Sequence, residues 1–231
     1  MIGTELPVAT LRRITLFAAF TDEELRAIIP LIVTRSCARG SVIFLENDPG
    51  DALYLIQSGL VRISCLAQDG RVKTLAVLSD GDFFGEMALV DDQPRSATAE
   101  ALDTTTLLVL YRRDFERLLS DHPGLARAVI KGLSRRLRAT NEQLLDAVFL
   151  DVRSRVIKTL LALAGSHGKP HPAGLRIDLR LTHQELAQMV GTSRETVTRV
   201  LADLQDSGLI GWDGRQLVLA RGFPEEGRRN S

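Results

Sequence analysis

Residues 81–100 read GDFFGEMALVDDQPRSATAE. Gly85-Glu86 and Arg95-Ser96-Ala97 lie at either side of a short connection. Glycine lets a backbone approach a ligand with no Cβ in the way. The segment after it can begin a helical turn, whose free N–H groups suit an anion. Arg95 adds a planar, permanently charged fork that matches phosphate oxygens. Ser96 places a hydroxyl beside it, and Glu86 is an acceptor for a sugar hydroxyl. Together these parts suit a small phosphate ester carrying a ribose. A lone Gly-Glu or Arg-Ser is ordinary loop chemistry. The whole string, in this order and in a strand-rich region, is far more specific.

That region runs from 39 to 110. Apolar runs at 42–45, 52–56, 61–66, 74–78 and 105–110 are separated by Gly40, Asp48-Pro49-Gly50-Asp51, Ser58-Gly59, Asp69-Gly70 and Ser79-Asp80-Gly81-Asp82. Such spacing predicts an antiparallel β-roll or jelly roll, with Asp69-Gly70 as a two-residue hairpin turn. Ahead of it, residues 10–30 read as short helices packed as a lid. Thr21 heads an N-cap followed by acidic residues, and Leu25, Ile28, Ile29 and Ile32 form a helical stripe.

After the strands, 112–119 reads as a short helix, broken by His122-Pro123-Gly124. A long helix then runs to about residue 150. Ala126, Ile130, Leu133, Leu137, Thr140, Leu144 and Ala147 recur at steps of four and three, a coiled-coil seam of period 3.5. Two copies of this helix would zip into a symmetric homodimer; the same stripe can also bury against its own domain. Arg127, Arg135, Arg138 and Glu142 lie off the seam, which favours the dimer. Next come an amphipathic helix carrying Val156, Ile157, Leu160, Leu161 and Leu163, and a Gly/Pro/His-rich surface loop at 164–174.

The stretch 181–208 is the second strong signal. Thr182 and Glu185 form a capping box, with Leu186, Met189 and Val190 facing inward. Gly191 suits a left-handed turn, and Ser193 caps a second helix whose buried stripe is Val197, Val200, Leu201 and Leu204. Arg194, Glu195, Thr198, Arg199 and Ala202 occupy the opposite face. Two short helices around a tight glycine turn are a helix-turn-helix, whose second helix enters the DNA major groove. A hairpin wing follows at 209–219, with Trp212 packed in it, and the tail from Pro224 is polar and loose.

Composition agrees with two functions on one chain. Residues 1–152 carry 17 Lys+Arg and 21 Asp+Glu, against 12 and 8 in 153–231. An acidic front and a basic back fit a sensor joined to a nucleic-acid binder. Two cysteines, Cys37 and Cys65, form no CxxC, and no histidine precedes His122. This predicts no metal, haem or iron–sulfur cluster, and idle thiols in a reducing, cytoplasmic setting. No run suggests a signal peptide or a membrane span. No nucleophile–base constellation or metal-ligand spacing points to an enzyme.

Residues 81–100 resemble the phosphate-binding cassette of cyclic-nucleotide-binding domains. With 181–208, the chain resembles the CRP/FNR family of bacterial transcription regulators over roughly residues 10–220. The resemblance implies an α+β architecture: a sensor at 1–121, a dimerisation helix at 122–150 and a winged helix-turn-helix at 151–231. It implies cyclic AMP as effector, held by Gly85, Glu86, Arg95, Ser96 and Ala97, with Thr140 and the partner chain's residue at the next position, here Asn141, contacting the adenine. Asn141 stands where the family often has serine. Arg136, one turn before Thr140, would pair with Glu86 and couple helix to pocket; a surface arginine is the plainer alternative. On double-stranded DNA, Arg194, Glu195 and Arg199 would read a TGTGA-type half-site, with Thr198 on the same face. Thr182, Gln184 and Ser193 would hold phosphates. The 164–174 loop would be placed to touch RNA polymerase. The alternatives are a regulator of this fold answering to cyclic GMP, a cyclic dinucleotide, redox state or a gas, one that needs no ligand, or a cyclic-nucleotide-dependent enzyme subunit.

Overall fold

The computed structural model describes residues 6–224, so the tail expected to be loose beyond Pro224 lies outside the described residues. They divide into two compact units, one drawn from residues 6–67 and 75–139, the other from residues 68–74 and 140–224.

The first unit opens with α1 (Val8–Arg12), a 3-10 turn at Thr15–Phe17, and α2 (Asp22–Ile28). Thr21 and Glu24 form a reciprocal capping box at the start of α2, and Asp22, Glu23 and Glu24 complement its dipole. The helical stripe expected to reach Ile32 stops at Ile28. Pro30 sits in a 3-10 turn, Ile29–Leu31, and has no amide to continue a helix. Ile32 instead opens a strand, β1 (Ile32–Cys37), so the strand region begins before residue 39.

Then follow β2 (Val42–Phe44), β3 (Ala52–Ser58), β4 (Val61–Leu66), β5 (Val72–Leu78), β6 (Phe83–Phe84), α3 (Met87–Val90), β7 (Thr98–Ala101), β8 (Thr105–Tyr111) and α4 (Arg112–Asp121). They form two four-stranded sheets, β1-β8-β3-β6 and β2-β7-β4-β5. Gly70 turns the β4–β5 connection with φ +81°, although that connection is longer than the two residues expected. Strands β1, β6 and β7 escape the sequence pattern for separate reasons. Four of the six β1 residues are exposed, and β6 has two residues. Strand β7 is Thr-Ala-Glu-Ala, poor in strand formers, and its pairing with β2 and β4 sustains it.

One core joins the sheets through Cys37, Ile43, Ile56, Val61, Ala99 and Leu107. Another packs Leu11, Phe17 and Leu25 of the N-terminal segment against Leu53, Leu108 and Phe115. Each such buried side chain contributes roughly 1.5–3 kcal/mol. The long helix α5 (Pro123–Phe149) starts with proline at its first position, where no amide hydrogen bond is lost. It seats Leu125 and Val129 in this second core. Gly132 passes so close to Phe83 that a Cβ would lie 2.6 Å from the ring. The helix therefore packs on its own domain through Leu125, Val129 and Gly132, and the expected seam residue Leu133 is half-buried against the same core. The periodic residues Ile130, Leu137 and Leu144 remain 62–63% exposed.

The second unit contains α6 (Val152–His167), β9 (Gly168–His171), β10 (Gly174–Ile177), α7 (His183–Val190), α8 (Arg194–Asp206), β11 (Ile210–Asp213) and β12 (Gln216–Ala220). The strands form one sheet in the order β11-β12-β10-β9. Residues 164–174 are not the loop expected from their glycines and prolines. The helix continues to His167, and the rest forms the β9–β10 hairpin, with Arg176 opposite Lys169 and Gly174 opposite His171. Tertiary pairing overrides local composition here: Gly174 approaches β12 so closely that a Cβ would lie 2.1 Å from the Leu219 carbonyl oxygen.

Candidate functional site

The 81–100 stretch folds as strand, turn, short helix and return strand. Gly85 leaves β6 with φ +82°, where a side chain is strained. A Cβ there would lie 2.7 Å from Nη1 of Arg95 and 3.3 Å from the Ala52 carbonyl oxygen. Glycine is therefore required for two reasons, conformation and space.

Arg95 is not an outward-reaching fork. It is 3% exposed. Its Nη1 donates to the Gly85 carbonyl at 2.7 Å, and its Nη2 donates to the Ala52 carbonyl at 2.8 Å. The guanidinium carbon lies 4.3 Å from the Phe44 ring centre and 5.6 Å from that of Tyr54. Asp51 stands 3.7 Å from Nη2. Burial lowers the Arg95 pKa, while Tyr54, Asp51 and Glu86 act in the opposite sense. Burial also raises the Tyr54 phenol. One donor, Nε, is buried without a hydrogen-bond partner.

Glu86 is fully buried. Its Oε1 accepts from Nη1 of Arg136, and Nη2 of Arg136 donates to the Phe83 carbonyl. Arg136 is thus engaged with the cassette rather than a free surface arginine, and its guanidinium lies over the Phe83 ring. The second carboxylate oxygen, Oε2, is buried with no partner. Ser96 is exposed and Ala97 buried. Leaving polar atoms dry and unpaired is costly, and within the cassette the two such atoms are Arg95 Nε and Glu86 Oε2. The buried donor Nε and the buried acceptor Oε2 have the polarity that a phosphate and a sugar hydroxyl require.

Gly85, Glu86, Arg95, Ser96, Ala97 and Arg136 are brought together in the first unit. Thr140 and Asn141 fall on the exposed part of α5 that belongs to the second unit.

In the second unit, Thr182 caps α7 with a full capping box to Glu185. Gly191 takes the left-handed conformation at φ +78°. The hydroxyl of Ser193 accepts from the amide of Thr196, capping α8. Val197, Val200, Leu201 and Leu204 are buried as expected, while Ala187 is more deeply buried than Met189. Gln184, Arg194, Glu195, Thr198 and Arg199 are exposed. Hydrogen bonds from its own main-chain amide and from Ser193 hold the Glu195 carboxyl below its usual range, so it remains an ionised acceptor. Sequence reasoning missed His183. Its Nδ1 lies 2.8 Å from Oγ1 of Thr198, linking the two helices. Trp212 belongs to the wing and donates from Nε1 to Gln205 on α8. No periodicity signals either contact, because each joins side chains on two different elements.

Comparisons with known proteins agree with both halves. Residues 34–122 match the profile of the cyclic nucleotide-binding domain, and residues 154–221 match that of the Crp-like helix-turn-helix domain. The chain belongs to the CRP/FNR family. It is 38% identical over 182 residues to the CRP-like cAMP-activated global transcriptional regulator of Mycobacterium tuberculosis, covering 79% of this chain and 81% of that protein. It is 38% identical to the cyclic AMP receptor protein of Thermus thermophilus, covering 84% and 87%. Among solved structures, the c-di-GMP responsive global regulator of Xanthomonas campestris superposes with a TM-score of 0.78 at 30% identity, covering 87% of this chain and 99% of that one. Like its CRP/FNR relatives, this chain is an α+β transcription regulator that joins a cyclic-nucleotide-binding domain to a DNA-binding helix-turn-helix. No described helix is long and apolar enough to cross a membrane.

Proposed function

We propose that this regulator is a cytoplasmic homodimer switched by cyclic AMP. The carrying observation is the pair of unmet polar atoms, Glu86 Oε2 and Arg95 Nε. A 3′,5′-cyclic nucleotide supplies a ribose 2′-hydroxyl to donate to the first and a phosphate oxygen to accept from the second. Ser96 adds a hydroxyl at the cassette, Gly85 keeps its floor clear, and Ala97 anchors the return strand. Two relatives at 38% identity are named for cyclic AMP. The c-di-GMP responsive neighbour is less similar in sequence at 30%.

The two chains zip along α5 through Ile130, Leu137 and Leu144, exposed in the single chain. Thr140 of one chain and Asn141 of the other offer hydroxyl and amide groups to the adenine edge. Arg136 joins α5 to Glu86 and carries occupancy of the pocket to the dimer helix. The nucleotide shifts a population: it binds better to the state whose recognition helices sit roughly 34 Å apart, one DNA turn. Arg194, Glu195 and Arg199 read a TGTGA-type half-site, with Thr198 beside them, while Thr182, Gln184 and Ser193 grip phosphates. RNA polymerase meets the β9–β10 hairpin.

Calorimetric titration with cyclic AMP tests the pocket. Saturable binding to the wild type and none to Arg95→Leu is the expected result. Equal affinity in both proteins would refute the assignment.

A further inference from the structure

We infer that Arg112 is a positioning residue for the nucleotide cassette, locking its short helix α3 to the Gly50-Asp51 turn. This rests on the effector reading above, and no family motif points to it.

Helix α3 is four residues long, and its last carbonyls lack helical partners. The chain cannot continue the helix, because Asp92 adopts φ +55°. Nη2 of Arg112 fills the gap, donating to the Ala88 carbonyl at 2.8 Å. The same nitrogen donates to the Gly50 carbonyl at 2.9 Å. Nη1 bonds the Asp92 carboxylate at 2.6 Å and Glu116 of α4 at 3.3 Å. The main-chain amide of Arg112 donates to the Asp51 carbonyl at 2.7 Å. One residue thus holds both ends of the Gly50-Asp51 turn and the exit of α3.

Space makes the clasp consequential. A Cβ on Gly50 would lie 2.4 Å from Ala88 Cβ and 3.4 Å from the Arg95 guanidinium carbon. Gly50 is sandwiched between the two arginines: Arg112 holds its carbonyl, and Arg95 packs beside its Cα. The two guanidinium groups also repel each other. The Asp92 and Glu116 carboxylates on Nη1 offset that repulsion. Arg112 fixes where Gly50 and Ala88 stand, and those residues fix where the Arg95 Nε points. A lysine, a point charge without the fork, cannot hold two carbonyls and two carboxylates at once.

The test compares wild type, Arg112→Met and Arg112→Lys by two measurements. The first is cyclic AMP affinity, including the ratio between the two phosphorothioate diastereomers of cyclic AMP, which reports phosphate alignment. Arg112→Met should lose about ten- to a hundredfold in affinity, the scale of charge-assisted hydrogen bonds, and the diastereomer ratio should move towards one. Arg112→Lys should recover part of both. A general loss of stability lowers affinity without changing that ratio. The second is hydrogen exchange in the nucleotide-free protein. Arg112→Met should speed exchange at residues 87–92 and 50–51 and leave β3 and β8 protected. If wild type binds no cyclic AMP, the effector reading fails and the exchange data alone decide the clasp. An unchanged diastereomer ratio in a binding protein, or unchanged cassette exchange, overturns the proposal.

Discussion

Arg95 donates through Nη1 to the carbonyl of Gly85 at 2.7 Å, and the space beside that nitrogen is where a Gly85 side chain would sit. The arginine expected to reach for phosphate is therefore also the strut that shapes the turn. Gly85→Ala should cost about 1–2 kcal/mol from the left-handed backbone alone, and should displace the guanidinium as well. Chemical denaturation reads the first effect and cyclic AMP titration the second. Affinity should fall more than stability does.

Arg136 and Glu86 form the second internal pair. Removing the arginine as Arg136→Met leaves a fully buried carboxylate without its cation. Breaking such a pair typically costs about 3–5 kcal/mol. The partial exposure of Arg136 puts the expected loss at about 3 kcal/mol or below. Glu86→Gln with Arg136→Met should recover much of it. Additive losses in the double variant would contradict the pairing as the source.

The exposed edge of α5 gives a prediction about assembly. Leu137→Glu places a charge on the seam, far from the Leu125–Val129–Gly132 face that packs on the domain. Sedimentation should show a monomer with an intact circular dichroism spectrum, and DNA affinity should fall with the dimer.

Stability of the second unit should decline in mild acid. Burial lowers the His167 pKa below 6.5. The unfolded chain then binds more protons, so the stabilisation is complete above pH 6.5 and drains away as pH falls towards the lowered value. His167→Asn should flatten that part of the stability profile, measured by urea unfolding at a series of pH values.

Much of this was legible in the sequence, for identifiable reasons. The N-cap at Thr21, the capping box at Thr182 and the buried stripe of α8 depend on neighbours within one helical turn. The strand run and the cassette were legible from their turn residues. What local pattern could not reveal was decided by distant partners. Strand β7 exists through its pairing, and the β9–β10 hairpin forms where composition suggested a loop. The seam residues of α5 were visible, but that its domain-facing side is Leu125, Val129 and Gly132 depends on where Phe83 and the N-terminal helices lie. Arg95 and Arg112 bond to main-chain carbonyls, which leave no trace in residue identity.

The central claim is that one small ligand governs a DNA reader. Fluorescence anisotropy of a labelled palindromic TGTGA/TCACA duplex, at one fixed salt concentration and with or without cyclic AMP, tests it most directly. The account predicts tighter binding with nucleotide, lost on a scrambled duplex and lost in Arg199→Ala. That substitution should cost about 1–3 kcal/mol of discrimination. Binding to the palindrome that is equally tight with and without cyclic AMP would contradict it.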